Sequence, residues 1–529
     1  MDRQALIAIL LSALVLVGYQ FFFAPQPTQP PQPQSTVEKA AENKPDAGTK
    51  TTAVSTPVLP VTPAPDIDER EIRIENDLFT AVFSTRGGAV KHWELKQFKD
   101  KTGRDVVLLN KPGALPAVGI GANTAFDLSG ANFSSTSKDL TLGPDNRTGK
   151  IIFEYAKGAV MVRRIYTFNY GSYDVELTDE IAGLSEYWIT LGSDFGISAK
   201  DNTVYVGPAL LTGTDLKEFK PGNLKEPKIF KDSLKWIAQE DKYFFAALAP
   251  ISQMEEARVW LNNGAPLIAF KGKPGQNTFR LYGGPKDHDR LAALNLGLEH
   301  VIDFGFFSII ARPLFWILKL FYRFVGNYGW AIILLTIAVR VPFIPLINKG
   351  QTSMRKMQEI QPKMTEVREK YKNDPKKMQV EMSELYRKHK VNPVGGCLPM
   401  LLQIPVFFAL YKVLLVSIEL RSAPFLLWIK DLSAPDTLFG HIPAMIPLIG
   451  GFALGPLPIV MGITMVIQQK MTPSTMDPKQ AKMMMLMPIV FTFMFLNFAS
   501  GLVLYWLVNN LFGIAQQFSV NRKLTRQQA

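Results

Sequence analysis

Cysteine is almost missing from this chain, and the single residue, Cys397, excludes an internal disulfide and any Cys-based zinc or iron-sulfur site. Histidine is sparse as well. His92, His288, His300, His389 and His441 show no HExxH or other metal-like spacing. The nearest approach to a phosphate loop, GPDNRTGKI from Gly143 to Ile151, has one residue too many and no Ser or Thr after its Lys, so ATP hydrolysis is not expected. Charge is thin too, at 20% of residues against 47% hydrophobic, and the mean hydropathy of +0.07 reads as an average over a polar part and a very apolar one. A uniform soluble protein and an all-membrane protein both fit poorly. The charge that is present is mainly basic: 58 Lys and Arg exceed 46 Asp and Glu, for a net +12 and a pI near 9.4. Such a balance favours acidic partners, whether nucleic acid, anionic lipid or acidic peptide.

The 529 residues would allow three or four ordinary domains by length, and the pattern divides them unevenly. Ala5 to Phe23 is nearly all apolar and reaches about 28 Å as a helix, enough to span a hydrocarbon core. It is longer than a usual signal-peptide core and lacks a small-x-small cleavage site, so residues 1–23 are read as an uncleaved anchor, with a cleavable signal as the alternative. Residues 24–66, rich in Pro, Gln, Thr, Ala and Ser, cannot bury enough surface to offset their ordering entropy and should form a tether. Residues 67–290 carry short alternating runs such as EIRIEN, KIIFEY and AVMVRRIYTF between Gly, Asn, Asp and Pro, which predict an antiparallel all-β sandwich. In 291–325, Arg312, Lys319 and Arg323 fall within about 40° of one another on a helix that is otherwise Phe, Ile, Leu and Trp. That composition suits a helix lying in the membrane surface, or one packed on the β domain.

Apolar segments then follow in series, with spans expected at Tyr328–Leu346 (within 326–348), and, within 397–518, at Leu398–Ile418, Leu454–Gln469, Met483–Ala499 and Gly501–Phe518. With the anchor this makes six. The segment 349–396 is strongly basic, Lys470, Lys479 and Lys482 mark a second inside loop, and Arg522, Lys523 and Arg526 mark the tail at 519–529. The positive-inside rule therefore puts both termini in the cytoplasm and the β domain outside.

Within the basic segment, Met354, Met357, Met364, Val367 and Tyr371, then Met378, Met382, Leu385 and His389, recur with coiled-coil spacing. Two arms folded back on each other are expected, with Asp374 and Pro375 as N-cap and first residue of the second. Arg355, Lys356, Lys363, Arg368, Lys376, Lys377 and Arg387 would then present a cationic face, either merely solvated or docking on something acidic such as ribosomal RNA, anionic lipid or a nascent chain.

Arg340 is the sharpest residue. It lies about two-thirds along its span, where an arginine costs about 2.5 to 3.5 kcal/mol by insertion scales. Either it snorkels to the nearby interface, with Pro342 and Pro345 ending the helix early, or it sits in a wet strip with Thr336 one turn before it. Tyr505, Asn509 and Gln516 form a similar strip on the last span, and Gln403 opens another. Spacing does not say whether these strips meet. Met471, Met476, Met483, Met484, Met485 and Met487 read as core filler or as a pliable surface for varied apolar partners.

The stretches VNPVGGCLPMLLQIPVFFALYKVL, SIELRSAPFLLWIKDLSAPD, MGITMVIQQKMTP and SGLVLYWLVNNLFGIAQQ closely resemble the bacterial YidC membrane protein insertases, and the likeness extends over essentially the whole chain. The resemblance implies a multi-domain membrane protein: a polytopic α-helical bundle of six transmembrane helices, a periplasmic all-β super-sandwich of mutarotase-like kind, and a cytoplasmic helical hairpin. It implies a hydrophilic groove, open to cytoplasm and lipid, with Arg340 inside it, Thr336 beside it, Gln403 on the next span and Tyr505, Trp506 and Asn509 on the last. Trp506 departs from relatives with a second tyrosine there, and His441 to Gly455 is longer and more apolar than the resemblance leads one to expect.

The implied activity is insertion and folding of nascent inner-membrane proteins, alone or with the Sec translocon and its accessory subunits. No cofactor, no enzyme chemistry and no DNA are implied; the ribosome and membrane lipids are further partners, and a monomer suffices. A secondary transporter would also hold an intramembrane Arg, but no inverted repeat is evident. A membrane-anchored periplasmic carbohydrate-active protein would instead need convergent acid and base groups in the β domain.

Overall fold

The computed structural model describes residues 68–109, 115, 117–199, 204–389, 391, 398–445, 450–472 and 485–528. The expected anchor and tether lie outside them, as do Cys397, Met476, Met483 and Met484 and the second basic loop at Lys479 and Lys482. Contacts divide the chain into two units, one comprising residues up to Ala209 with Glu218–Lys242 and Ala246–Gly283, the other Leu210–Lys217, Tyr243–Phe245 and everything from Gly284 on.

The first unit is built of β-sheet, as the alternating runs predict. In the strand Glu71–Glu75, Ile72 and Ile74 point inward while Glu71 and Arg73 stay exposed, and the strand pairs antiparallel with Phe79–Ser84. Ala89–Lys99 and Asp105–Leu109 extend that sheet on one side. On the other side Leu140–Thr141 adds in parallel, an exception to the expected antiparallel pairing. A larger sheet contains the meander Thr148–Lys157, Val160–Asn169 and Asp174–Ala182.

The middle strand of that meander turns Val162, Arg164, Tyr166 and Phe168 inward, so a guanidinium sits at a core position. Register places Asp179 opposite, and Arg164 Nε donates to Asp179 Oδ1 at 2.9 Å. Its Nη1 donates to the carbonyls of Val118 (2.8 Å), Gly87 (3.2 Å) and Gly88 (3.3 Å), while Tyr187 donates its hydroxyl to Asp179 Oδ2 at 2.7 Å. A charge pair with no exposed surface persists because its donors and acceptors are this fully partnered.

The second unit is helical. A short helix α1 (His288–Ala293) precedes α2 (Ser308–Val325), whose buried residues Ala311, Leu314, Phe315 and Leu318 make one packed stripe. Ile309, Trp316 and Phe324 remain exposed on it, as do Arg312 and Arg323. Gly326 closes α2 in the left-handed conformation at φ 64°, where a side chain would be strained. Asn327 then caps α3 (Tyr328–Arg340), accepting from Gly329 N at 2.9 Å and Trp330 N at 3.3 Å.

Here Pro342 and Pro345 do not end the helix. After a 3-10 turn at Val341–Phe343 the chain continues as α4 (Ile344–Glu359), giving a 32-residue helical run from Tyr328 to Glu359. Each proline falls in the first turn of its segment, and the 3-10 turn absorbs the missing donor of Pro345, since Ile344 N donates to Val341 O, the acceptor that Pro345 cannot serve. The run therefore passes straight through the expected boundary at 348/349.

The expected two-armed hairpin follows, with one break more than the periodicity suggested. The first arm is interrupted at Ile360, and α5 (Gln361–Lys370) begins with Pro362 in its first turn. The second arm is α6 (Pro375–Lys388), with Asp374 accepting from Lys377 N at 3.1 Å. Met357, Ile360, Met364 and Val391 are buried between the arms, with Met382, Leu385 and Tyr386 packed against them.

Four further helices are α7 (Leu398–Val416), α8 (Pro456–Met471), α9 (Met487–Phe495) and α10 (Ser500–Gln528). α10 packs on α3, α4 and α8; α2 packs on α3 and α7; α8 packs on α9. The close approach of α8 to α9 depends on Gly462, where a Cβ would lie 2.0 Å from the Thr492 hydroxyl oxygen. At the Ala499–Gly501 break, Ser500 N and Gly501 N donate to Ala434 O and Leu432 O, each at 2.8 Å, so the first N–H groups of α10 are satisfied by a loop. The unusually long segment after His441 is partly a hairpin: His441 bridges Ala453, and Ile442 N donates to Phe452 O at 2.8 Å.

Candidate functional site

Arg340 is the last residue of α3, just before the 3-10 turn, and it is 9% exposed. Its Nε donates to Asn509 Oδ1 at 2.5 Å and its Nη2 to the backbone oxygen of Asn509 at 3.4 Å. Both acceptors are neutral. The arginine is thus held by hydrogen bonds with its charge left uncompensated by Asn509.

The two polar strips meet at this point. One turn before Asn509 on α10, the buried Tyr505 accepts from Gln403 Nε2 of α7 at 2.8 Å. α10 therefore carries one contact to the arginine helix and another to the helix that bears Gln403. Thr336, 1% exposed, lies one turn before Arg340, but its hydroxyl donates to Ile332 O of its own helix at 2.7 Å and leaves only acceptor capacity.

Trp506 lies among aromatic rings. Its indole packs against Phe407 at 4.9 Å, Phe495 at 5.2 Å and Phe491 at 6.5 Å, in an aromatic group joining α7, α9 and α10. One residue from Tyr505, it is turned about 100° away by helical geometry. A hydroxyl at this position would meet rings, and the indole suits the place through its apolar surface.

Some polar contacts were not anticipated. Asn510, 4% exposed, donates from Nδ2 to Thr464 Oγ1 at 3.1 Å and ties α10 to α8. Gln516 Nε2 donates to Asn348 Oδ1 at 2.7 Å, and Arg355 Nη1 donates to Asn521 O at 3.3 Å. Asn348 lies eight residues beyond Arg340, a spacing that could have pointed to it had the helix been expected to continue.

Of the basic residues expected to dock a partner, Lys356, Lys363, Arg368, Lys376, Lys377 and Arg387 are exposed on the hairpin, while Arg355 is turned toward α10. Lys377 also sits 5.4 Å over the Tyr371 ring.

Comparison with known proteins defines the class first. The family described as "60Kd inner membrane protein" matches residues 320–527, and that described as "YidC periplasmic domain" matches 71–317. The chain is thus an inner-membrane protein whose β-rich part is of the periplasmic-domain kind. It is 41% identical to the membrane protein insertase YidC of Pelobacter propionicus, over 99% of each chain, and 40% identical to that of Geotalea daltonii, over 99% of this chain and all of the relative. The chain belongs to the YidC membrane protein insertase family. A solved active YidC insertase aligns with 84% of this chain and 91% of its own at 19% identity and TM-score 0.38. A galactose mutarotase-like protein from Lactobacillus casei aligns with 40% of this chain at 12% identity and TM-score 0.27.

Proposed function

We propose that this chain inserts nascent inner-membrane proteins by conducting their polar flanks through a hydrophilic groove lined by Arg340, Thr336, Gln403, Tyr505 and Asn509, with Trp506 at its apolar margin. The observation that carries the reading is the buried guanidinium whose hydrogen-bond partners are neutral atoms of Asn509. A substrate helix has apolar surface that lipid accepts and a short flank that it does not. The flank sets the barrier. A wet cleft shortens the low-dielectric path, and Arg340 attracts carboxylates and backbone carbonyls transiently, since they can exchange with the Asn509 amide. Partition of the apolar helix into lipid then releases the substrate, and the chain itself consumes no nucleotide.

In this reading the six spans are the anchor, the helix from Tyr328, α7, α8, the segment containing α9, and α10. Both termini are cytoplasmic, the β unit is periplasmic and α2 lies at the periplasmic membrane surface. The exposed hairpin cations dock the ribosome or the emerging chain, and lipids or the Sec translocon with its accessory subunits receive the inserted helix. A monomer contains every groove residue. The test is site-specific crosslinking from positions 340 and 505 to stalled nascent membrane proteins in native membranes. Crosslinks that move from the polar flank to the apolar helix as the chain lengthens are expected, and their absence from both positions sinks the groove.

A further inference from the structure

The polar contact at Arg340 continues along the same two helices toward the basic hairpin. On α4, Ile344, Asn348, Gln351 and Arg355 recur at helical spacing and so share a face. That face is turned to α10: Gln516 Nε2 donates to Ile344 O at 3.4 Å and to Asn348 Oδ1 at 2.7 Å, and Arg355 Nη1 donates to Asn521 O at 3.3 Å. Gln351 lies between two residues that contact α10.

Two carboxamide oxygens on these two helices are buried and have no hydrogen-bond partner among the described residues: Gln351 Oε1 and Gln516 Oε1. Gln516 is itself only 9% exposed. Its amide is oriented by the backbone of Ile344, because turning it over would set its oxygen against the Ile344 carbonyl, whereas the Asn348 amide could turn with it. A buried acceptor without a donor is costly, and two of them on the helices that also hold the donor-only Arg340, one to three turns further toward the hairpin, supply the chemistry that the arginine lacks.

We propose that Gln351 and Gln516 form an acceptor subsite on the hairpin side of Arg340 that binds backbone N–H groups of the polar segment in transit. This rests on the insertase reading and adds the chemistry it lacks. A peptide leaving water must keep both its N–H and its C=O groups satisfied. Arg340 can serve only the C=O groups and carboxylates. Asn509 and Gln516 are seven residues apart on one face of α10, about 10 Å along the axis, which matches roughly three residues of extended chain. A stretch of that length can meet the donor and Gln516 together, and about five extended residues reach from Arg340 to Gln351, eleven residues further along its helical run.

The test uses the full chain in proteoliposomes and a pair of synthetic single-span peptides that differ only in whether the polar flank is N-methylated, which removes its N–H donors. Insertion is followed as protease protection of the flank. Gln516→Met and Gln351→Met keep an unbranched side chain and remove the acceptor. Each is expected to slow insertion of the ordinary flank roughly two- to tenfold relative to the unmutated protein, and to leave the N-methylated flank at the unmutated rate. Equal slowing of both peptides overturns the subsite in favour of helix packing. No slowing of either overturns it in favour of acceptors that hold only water. Should Gln516→Met fail to fold, Gln351→Met carries the same comparison. An unmutated protein that inserts neither peptide above empty liposomes overturns the insertase reading itself and the subsite with it.

Discussion

Arg340 and Asn509, 169 residues apart in the chain, are joined by a 2.5 Å hydrogen bond from the guanidinium Nε to the amide Oδ1. A carboxylate there would have neutralised the arginine and made a structural ion pair. The amide positions the side chain and leaves its charge free to act on something else. Charge-assisted bonds to a carboxylate are roughly twice as strong as those to neutral acceptors, so an arriving Asp or Glu can displace the amide.

Replacement of Arg340 tests that role. Arg340→Ala should slow insertion of substrates with acidic flanks by at least roughly tenfold, about 1.4 kcal/mol, while neutral flanks change little. Arg340→Lys should keep much of the activity, because a point charge still attracts a carboxylate although it loses the planar fork. Protease accessibility of the translocated tail, for substrates differing only in flank charge, gives the answer. Equal behaviour of the two substrates in the Ala variant refutes charge recruitment.

Asn509→Asp inverts the arrangement. A resident carboxylate beside the Nε would occupy the guanidinium and should reproduce the Arg340→Ala selectivity without removing the arginine, whereas Asn509→Gln should be milder. The same paired-substrate assay applies. A fully active Asp variant would show that the charge of Arg340 is not what the substrate meets.

The hairpin should act through bulk charge. Changing Lys356, Lys363, Arg368, Lys376, Lys377 and Arg387 together to Gln should weaken ribosome co-sedimentation and flatten its salt dependence, since exposed charges are screened over about 8 Å at physiological ionic strength. The apolar cluster of Met357, Ile360, Met364 and Val391 is left intact, so helix content should be unchanged by circular dichroism. Unaltered docking at every salt concentration means the cations are merely solvated.

Glu419, in the turn at Ile418–Leu420 that follows α7, links α2 to that turn and titrates unusually. Burial pushes its carboxyl up to about 7, and Lys319 Nζ, at 3.7 Å, only partly offsets this because it bonds more closely to Asp289 at 2.6 Å. A carboxyl whose pKa is raised by folding stabilises the fold fully below its unfolded pKa of about 4.5 and loses that contribution as pH rises through about 7. Thermal denaturation in detergent should therefore show stability falling over that interval, by at most about 1.4 kcal/mol per pH unit. Glu419→Gln should remove this slope. A slope unchanged in the Gln variant assigns it to another group.

In the β unit, Arg164→Met should be strongly destabilising, by about 3 to 5 kcal/mol, because it strands the buried Asp179. Limited proteolysis of the full chain should detect it as early cleavage between residues 68 and 283. Insertion should nevertheless persist, as the proposed groove residues all belong to the helical unit. Complete loss of insertion in a variant that still reaches the membrane contradicts this separation.

What could be read from the chain alone was whatever depends on neighbours in sequence. Alternation of Ile72 and Ile74 with Glu71 and Arg73 announces a strand with one wet face, and Asp374 followed by Pro375 announces the start of the second hairpin arm, because side-chain direction and capping are decided within a few residues. Arg340 stands out for the same local reason, a charge among apolar residues. What sequence spacing left open was decided by packing between distant segments. The two prolines after Arg340 could equally have ended the helix, yet the run continues to Glu359 through a 3-10 turn, with α10 packed along both α3 and α4. Trp506 and Tyr505 are adjacent in the chain yet face an aromatic group and a glutamine, according to which helices lie on either side of α10. Arg164, a cation on an alternating strand, is a core residue because strand register sets Asp179 against it. Hydrophobic pattern specifies which face of an element is buried; which residue lies across from it depends on the register and crossing of elements far apart in the chain, and that is where the partner of Arg340 was decided.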